Sequence, residues 1–75
     1  MAEIDRVRWR CRRGLLELDV VLTRFLDRHF ETLSLQQRST LNRLLDYPDN
    51  DLWDFLSGKQ APPDPETAGI ISLFD

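Results

Sequence analysis

Only one cysteine, Cys11, occurs in this 75-residue chain, so neither an internal disulfide nor a Cys-x-x-Cys site can form, as expected of a protein in a reducing compartment. Only one histidine, His29, occurs either, and no second soft ligand accompanies it, so a metal site is not expected; His29 reads as a satisfied or rim histidine on an apolar helix face. Cys11 has no base or orienting group at usable spacing, which argues against a nucleophile, although its arginine neighbours are expected to lower its pKa. Asp46, Asp49, Asp51 and Asp54 lack the central glycine and closing glutamate of a twelve-residue Ca²⁺ loop and serve better as helix caps. No catalytic residues are expected, and the reading is of a protein that is not an enzyme. No apolar run approaches the roughly 20 residues of a membrane span. An N-terminus carrying Glu3 and Asp5 with no apolar stretch is not a secretory signal, so a cytoplasmic protein without membrane insertion is expected. Internal repeats and low-complexity segments are also missing.

What the chain does have is charge, sharply segregated. Hydrophobic residues make up 41% and charged residues 31%, a balance that allows one small soluble domain spanning residues 1–75. A chain of this length buries only about 60% of its unfolded surface, so its core is thin and an enclosed active site has little room. Residues 1–13 hold five arginines against Glu3 and Asp5, a balance of +3. Residues 46–75 hold seven acidic residues against Lys59, a balance of −6, and the middle of the chain is neutral, giving −3 in all. An acidic protein with one basic segment lacks the broad positive footprint that nucleic-acid binding needs.

The hydrophobic pattern is helical, with one conflict. Arg6 to Arg12 alternates arginine with Val7, Trp9 and Cys11, the period-2 signal of a strand, but no second strand is available to pair with it. As a helix over residues 3–12, the same segment places Ile4, Val7 and Cys11 on one face, and Gly14 ends it. A second helix is predicted from Leu15 to Phe30, with Leu15, Leu18, Leu22, Phe25, Leu26 and His29 on its apolar face. Ser34 and Gln37 form a capping box for a third helix carrying Leu41, Leu44 and Leu45, which Pro48 closes; Arg38 on this helix reads as remote from any site and as a neutral control position. A fourth helix starts from Asp49 or Asn50 as N-cap and stops at Gly58, with Trp53 and Phe55 turned to the core. After the stiff Ala61-Pro62-Pro63 connector, Asp64 as N-cap and Pro65 in the first turn open a fifth helix carrying Ala68, Ile70, Ile71, Leu73 and Phe74. The expected fold is therefore all-α, a single-domain bundle of about five short helices.

Charge, backbone freedom and pattern all change at Arg12-Arg13-Gly14-Leu15-Leu16-Glu17-Leu18-Asp19, where the basic run gives way to an acidic, apolar helix. The Arg-Gly-x-x-Glu spacing, followed by Leu-Asp, resembles the signature of the succinate dehydrogenase assembly factor family. Trp9-Arg10-Cys11-Arg12 is similar to that family's approach to its motif. Leu44-Leu45-Asp46 with Asp49-Asn50-Asp51-Leu52-Trp53 is similar to its later Leu-Leu and Asp-x-Asp-Leu-aromatic segment. The chain departs from longer members by stopping at Asp75, where their last helix carries on, so a role assigned to a C-terminal tail is not carried over while the motif is.

The resemblance implies a helical fold and a dedicated chaperone of the flavoprotein subunit of succinate dehydrogenase, with that of fumarate reductase as a second candidate client. It also implies that the factor promotes covalent attachment of FAD by positioning, the FAD belonging to the client and the factor holding no cofactor of its own; separately from the resemblance, a monomer is expected. Carried onto this chain, the partner-binding residues are Arg13, Gly14 and Glu17, flanked by Arg12, Trp9, Arg8 and Asp19, with Arg13 supplying the charge that a partner pairs with. Plainer roles stand beside these. Gly14 also fits a helix C-cap, Glu17 complements a helix dipole, and the arginines form a solvated face. Trp9 is either a second core contact or an exposed anchor. Two other functional classes remain: a small helical interaction regulator using the basic first helix, and a weak nucleic-acid binder.

Overall fold

The sequence folds into helices as expected, although not every helix begins or ends at the residue that its signal marked. The computed structural model describes residues 2–74; Met1 and Asp75, which the reading of 1–75 as one domain includes, lie outside the described residues. Five α-helices follow in order: α1 (Glu3–Arg10), α2 (Leu16–His29), α3 (Leu35–Leu44), α4 (Asp49–Ser57) and α5 (Pro65–Ile71). A 3-10 turn, Phe30–Thr32, continues α2, and no strand occurs among the described residues.

Three helix ends follow directly from local chemistry. The Ser34 hydroxyl accepts from the Gln37 amide at 3.1 Å while the Gln37 side chain accepts from the Ser34 amide at 2.8 Å, the reciprocal bonds of a capping box. The Asp64 carboxylate accepts from the Thr67 amide at 2.7 Å, with Pro65 filling the first helical position, and this bond holds the carboxyl below its ordinary pKa. Gly58 ends α4 at φ 85°, where the left-handed conformation favours glycine.

Other boundaries differ from expectation: Leu15 is the N-cap of α2 rather than its first residue, and α5 ends at Ile71, leaving Leu73 and Phe74 beyond it. Helix α1 stops at Arg10 rather than at residue 12, with Cys11 as its right-handed C-cap, so Gly14 lies beyond the cap and is not the residue that ends the helix. Phe30 belongs to the 3-10 turn instead of α2. Pro48 does not close α3, which ends at Leu44 with Leu45 as its cap; Pro48 instead occupies the N-cap position of α4, making Asp49 the first helical residue rather than the cap.

The core draws on every helix. Val7 and Cys11 come from the α1 segment, Leu18, Leu22, Phe25 and Leu26 from α2, Leu41 and Leu44 from α3, Leu52 and Phe55 from α4, and Ile70 from α5. Full burial of one such side chain contributes about 1.5–3 kcal/mol. Trp53 packs partly buried against this core, and Phe74 returns to stack on Phe25 with ring centroids 4.1 Å apart. His29 sits at the rim, 5.2 Å from the Phe25 ring. Leu15, expected on the buried face of α2, is instead exposed, because the chain enters the helix from outside the core.

With so few buried side chains, α1 is held largely by polar ties. Arg8 pairs with Asp27 of α2 at 2.6 Å, Arg10 donates to Asn42 of α3 at 2.9 Å and pairs with Asp46, and Arg38 of α3 donates to Glu3 at 2.8 Å. Arg38 also donates to the Phe30 carbonyl and lies 4.4 Å over the Phe30 ring, so it is a structural tie and unsuited to serve as a neutral control. Exposed Lys59, whose side chain makes no tie of this kind among the described residues, takes that place.

Cys11 behaves opposite to the expectation from its arginine neighbours. Burial is the larger effect: it pushes the thiol from 9.0 up to about 11, against the lowering influence of Arg13, Arg10 and Arg8. A folded-state pKa raised above the unfolded one favours the native state fully below about pH 9, and the benefit is lost as pH rises towards 11. Urea unfolding is therefore expected to find stability falling over that window by on the order of 2 kcal/mol more in wild type than in Cys11→Ala. Parallel pH profiles for the two proteins would contradict it.

Candidate functional site

The connection from α1 to α2 is shaped by hydrogen bonds, since backbone amides that leave one helix and have not yet entered the next need other acceptors. Asp19, in the first part of α2, supplies them. One of its oxygens accepts from the Arg13 amide at 2.8 Å and the other from the Gly14 amide at 3.2 Å. These are charge-assisted bonds, and the carboxylate sits near the positive end of α2 as well. The turn that this geometry requires places Gly14 at φ 85°, a conformation that costs other residues about 1 kcal/mol. A Cβ at Gly14 would meet nothing within 4 Å, so φ alone selects glycine within the chain, and the space over it is open.

The Arg13 side chain, only 14% exposed, is turned inward. Its Nη1 donates to the Leu45 carbonyl at 2.8 Å, Nη2 donates to the Tyr47 carbonyl, and Nε pairs with Asp49. The guanidinium thus occupies the C-terminal end of α3, where carbonyls lack helical partners, and faces a carboxylate on the first residue of α4. This corrects the expectation that Arg13 offers its charge to a partner: its donors are used to fasten the α1–α2 connection to the α3–α4 connection. Arg8 likewise meets Asp27 within the fold.

What remains on the surface is a different set. Glu17 is exposed and takes no hydrogen bond or ion pair from the described residues. Leu16, 79% exposed, and Val20 are one turn apart on the outward side of α2, next to Glu17. Trp9 is 70% exposed, which settles it as an outward aromatic, and the Arg12 guanidinium lies 5.3 Å from its ring centroid. A shallow, mainly apolar depression runs along the Trp9 face between Asp5, Arg6 and Arg10. Trp9 on α1, and Leu16 and Val20 on α2, are thus exposed apolar side chains of the kind that protein docking covers.

The structure therefore brings Trp9, Arg12, Gly14 and Glu17 to the surface and uses Arg8, Arg13 and Asp19 beneath or beside it. Leu15, Leu16 and Val20 were not legible as surface residues from the motif. A helical wheel carries the signal for Leu16 and Val20: with Leu18, Leu22, Phe25 and Leu26 facing inward, these two fall on the opposite side.

Residues 5–75 match the family described as flavinator of succinate dehydrogenase. The FAD assembly factor SdhE of Coxiella burnetii is 44% identical over 66 residues, covering 88% of this chain and 80% of the relative. The protein of the same name from Shewanella oneidensis is 41% identical over 71 residues, covering 95% and 87% respectively. That from Ralstonia nicotianae is 46% identical over 73 residues, covering 92% and 77%. No solved structure matches the chain at a significant level.

Proposed function

This chain belongs to the family of succinate dehydrogenase flavinators, and from that membership we propose that it is an FAD assembly factor for the flavoprotein subunit of succinate dehydrogenase. It docks on that subunit and promotes covalent attachment of FAD to it. The observation that carries the reading is the family match over residues 5–75, and the exposed carboxylate of Glu17 beside Gly14 supports it.

The mechanism in this reading is positioning. Leu16, Val20 and Trp9 provide apolar contact area, and Glu17 accepts a charge-assisted hydrogen bond that fixes the docking angle. Open space over Gly14 allows the client backbone to come close. Holding the client in one arrangement raises the rate of a reaction whose chemistry belongs to the flavin and its protein partner. The factor supplies no acid, base or nucleophile; the buried Cys11 thiol, with its raised pKa, is unfit for the last of these. The FAD is the client's, the factor acts as a cytoplasmic monomer, and the fumarate reductase subunit is a second client.

A tagged chain is expected to capture the flavoprotein subunit from a mixture, which a regulator of other proteins would not do. Because Arg8, Arg10 and Arg13 are already paired inside the fold, that capture should respond weakly to ionic strength. Between about 0.05 and 0.5 M salt the affinity is expected to fall by less than about tenfold. A steep fall, or tight salt-sensitive binding to random DNA, would favour phosphate recognition instead.

A further inference from the structure

The two sequence segments that carry the family likeness, 9–19 and 44–53, meet at one guanidinium. Arg13 of the first segment is bonded to the Leu45 and Tyr47 carbonyls and to the Asp49 carboxylate of the second. We propose that Asp49 is a positioning residue of the docking site: through Arg13 it fixes how the Arg12-Arg13-Gly14 loop seats against the α3–α4 side of the bundle, without touching the client itself. This inference rests on the assembly-factor reading.

Two anchors hold the loop, and they do different things. Asp19 belongs to α2 and fastens the Arg13 and Gly14 amides to the start of the same helix, so it shapes the turn locally. Asp49 belongs to α4, and its bond to Arg13 relates that turn to the opposite side of the bundle. The loop carries the Arg12 that stacks on Trp9, while Glu17 belongs to α2. Loss of the Asp49 anchor therefore leaves the loop held to the α3–α4 side only through the Leu45 and Tyr47 carbonyls, so that the loop and its Arg12–Trp9 contact loosen there. Asp49 is well placed for such a role. Its carboxylate lies on the first residue of α4, where the helix dipole favours an anion, and its side chain is 37% exposed, so its removal opens no core cavity. The carbonyls of Leu45 and Tyr47 keep Arg13 from being left wholly unpaired, which limits the damage to orientation rather than folding.

The test compares wild type, Asp49→Ala and Asp49→Asn in flavinylation of the co-purified flavoprotein subunit, with factor concentration varied. Asp49→Ala should need about tenfold more factor for half-maximal yield and reach the wild-type yield at saturation, as expected for lost preorganisation rather than lost chemistry. Asp49→Asn, which retains an oxygen acceptor for Arg13, should fall between the two. Hydrogen exchange supplies a readout independent of activity: the Arg13 and Gly14 amides should exchange faster in Asp49→Ala, while those of Leu22 and Leu44 stay protected. If Asp49→Ala fails to fold, the same comparison is read from Asp49→Asn. A folded Asp49 variant with wild-type concentration dependence and unchanged exchange at Arg13 and Gly14 overturns the inference. Absence of flavinylation with wild type itself would instead overturn the functional reading on which it rests.

Discussion

Glu17→Ala is expected to leave the protein folded and to reduce covalent flavinylation of the client to background. Exposed, and unbonded among the described residues, the carboxylate contributes to folding mainly through the α2 dipole, about 0.3–1 kcal/mol. In a domain of this size that shifts Tm by about 1–8 °C. Its proposed worth lies in the complex, where removal leaves a client donor desolvated and unpaired, typically a larger loss than a surface contact. Circular dichroism checks the fold and in-gel flavin fluorescence checks the function, with Lys59→Ala as control. A folded Glu17→Ala that supports full flavinylation would remove this residue from the site. Equal failure of the Lys59 variant would mean that the surface has been misplaced.

Gly14→Arg is expected to be as damaging to function, for a different reason. At φ 85° any L side chain brings strain of about 1 kcal/mol. Since a Cβ there meets nothing within 4 Å, the fold itself adds no steric penalty. Gly14→Ala and Gly14→Arg should thus be destabilised alike in thermal melts. They should part in function, the alanine variant retaining much of the flavinylation and the arginine variant losing it, because the long cation occupies the space into which the client backbone moves. Equal activity of the two variants would show that strain, not approach, is what glycine relieves.

How much of this was legible in the sequence depends on the range of the interaction. Ser34 with Gln37, Asp64 with Pro65, and Gly58 act within one turn of their own helix, and the structure places these caps where their chemistry predicts. The apolar stripe of α2 was legible for the same reason, apart from Leu15 at its end, where burial depends on how the chain arrives. The role of Arg13 was not legible. Its partners lie 32 to 36 residues further on, and an arginine next to a glycine looks the same from sequence whether it turns inward or outward. The same ambiguity reversed the expectation for Cys11: neighbouring charges are visible in sequence, but the burial that outweighs them is a property of the packed fold. Arg38 was misread in the same way, since its ties to Glu3 and Phe30 cross the bundle. The motif marks a place on the chain, while the division between residues that face outward and residues that hold them there is a property of the fold.

Covalent flavin on the client measures the central claim most directly. The flavoprotein subunit of succinate dehydrogenase is expressed in cells lacking their own assembly factor, with and without this chain, then denatured in acid and examined for flavin fluorescence in a gel. Strong fluorescence of the subunit only when the chain is present is the expected result; equal fluorescence with and without it, at equal subunit yield, would contradict the assignment.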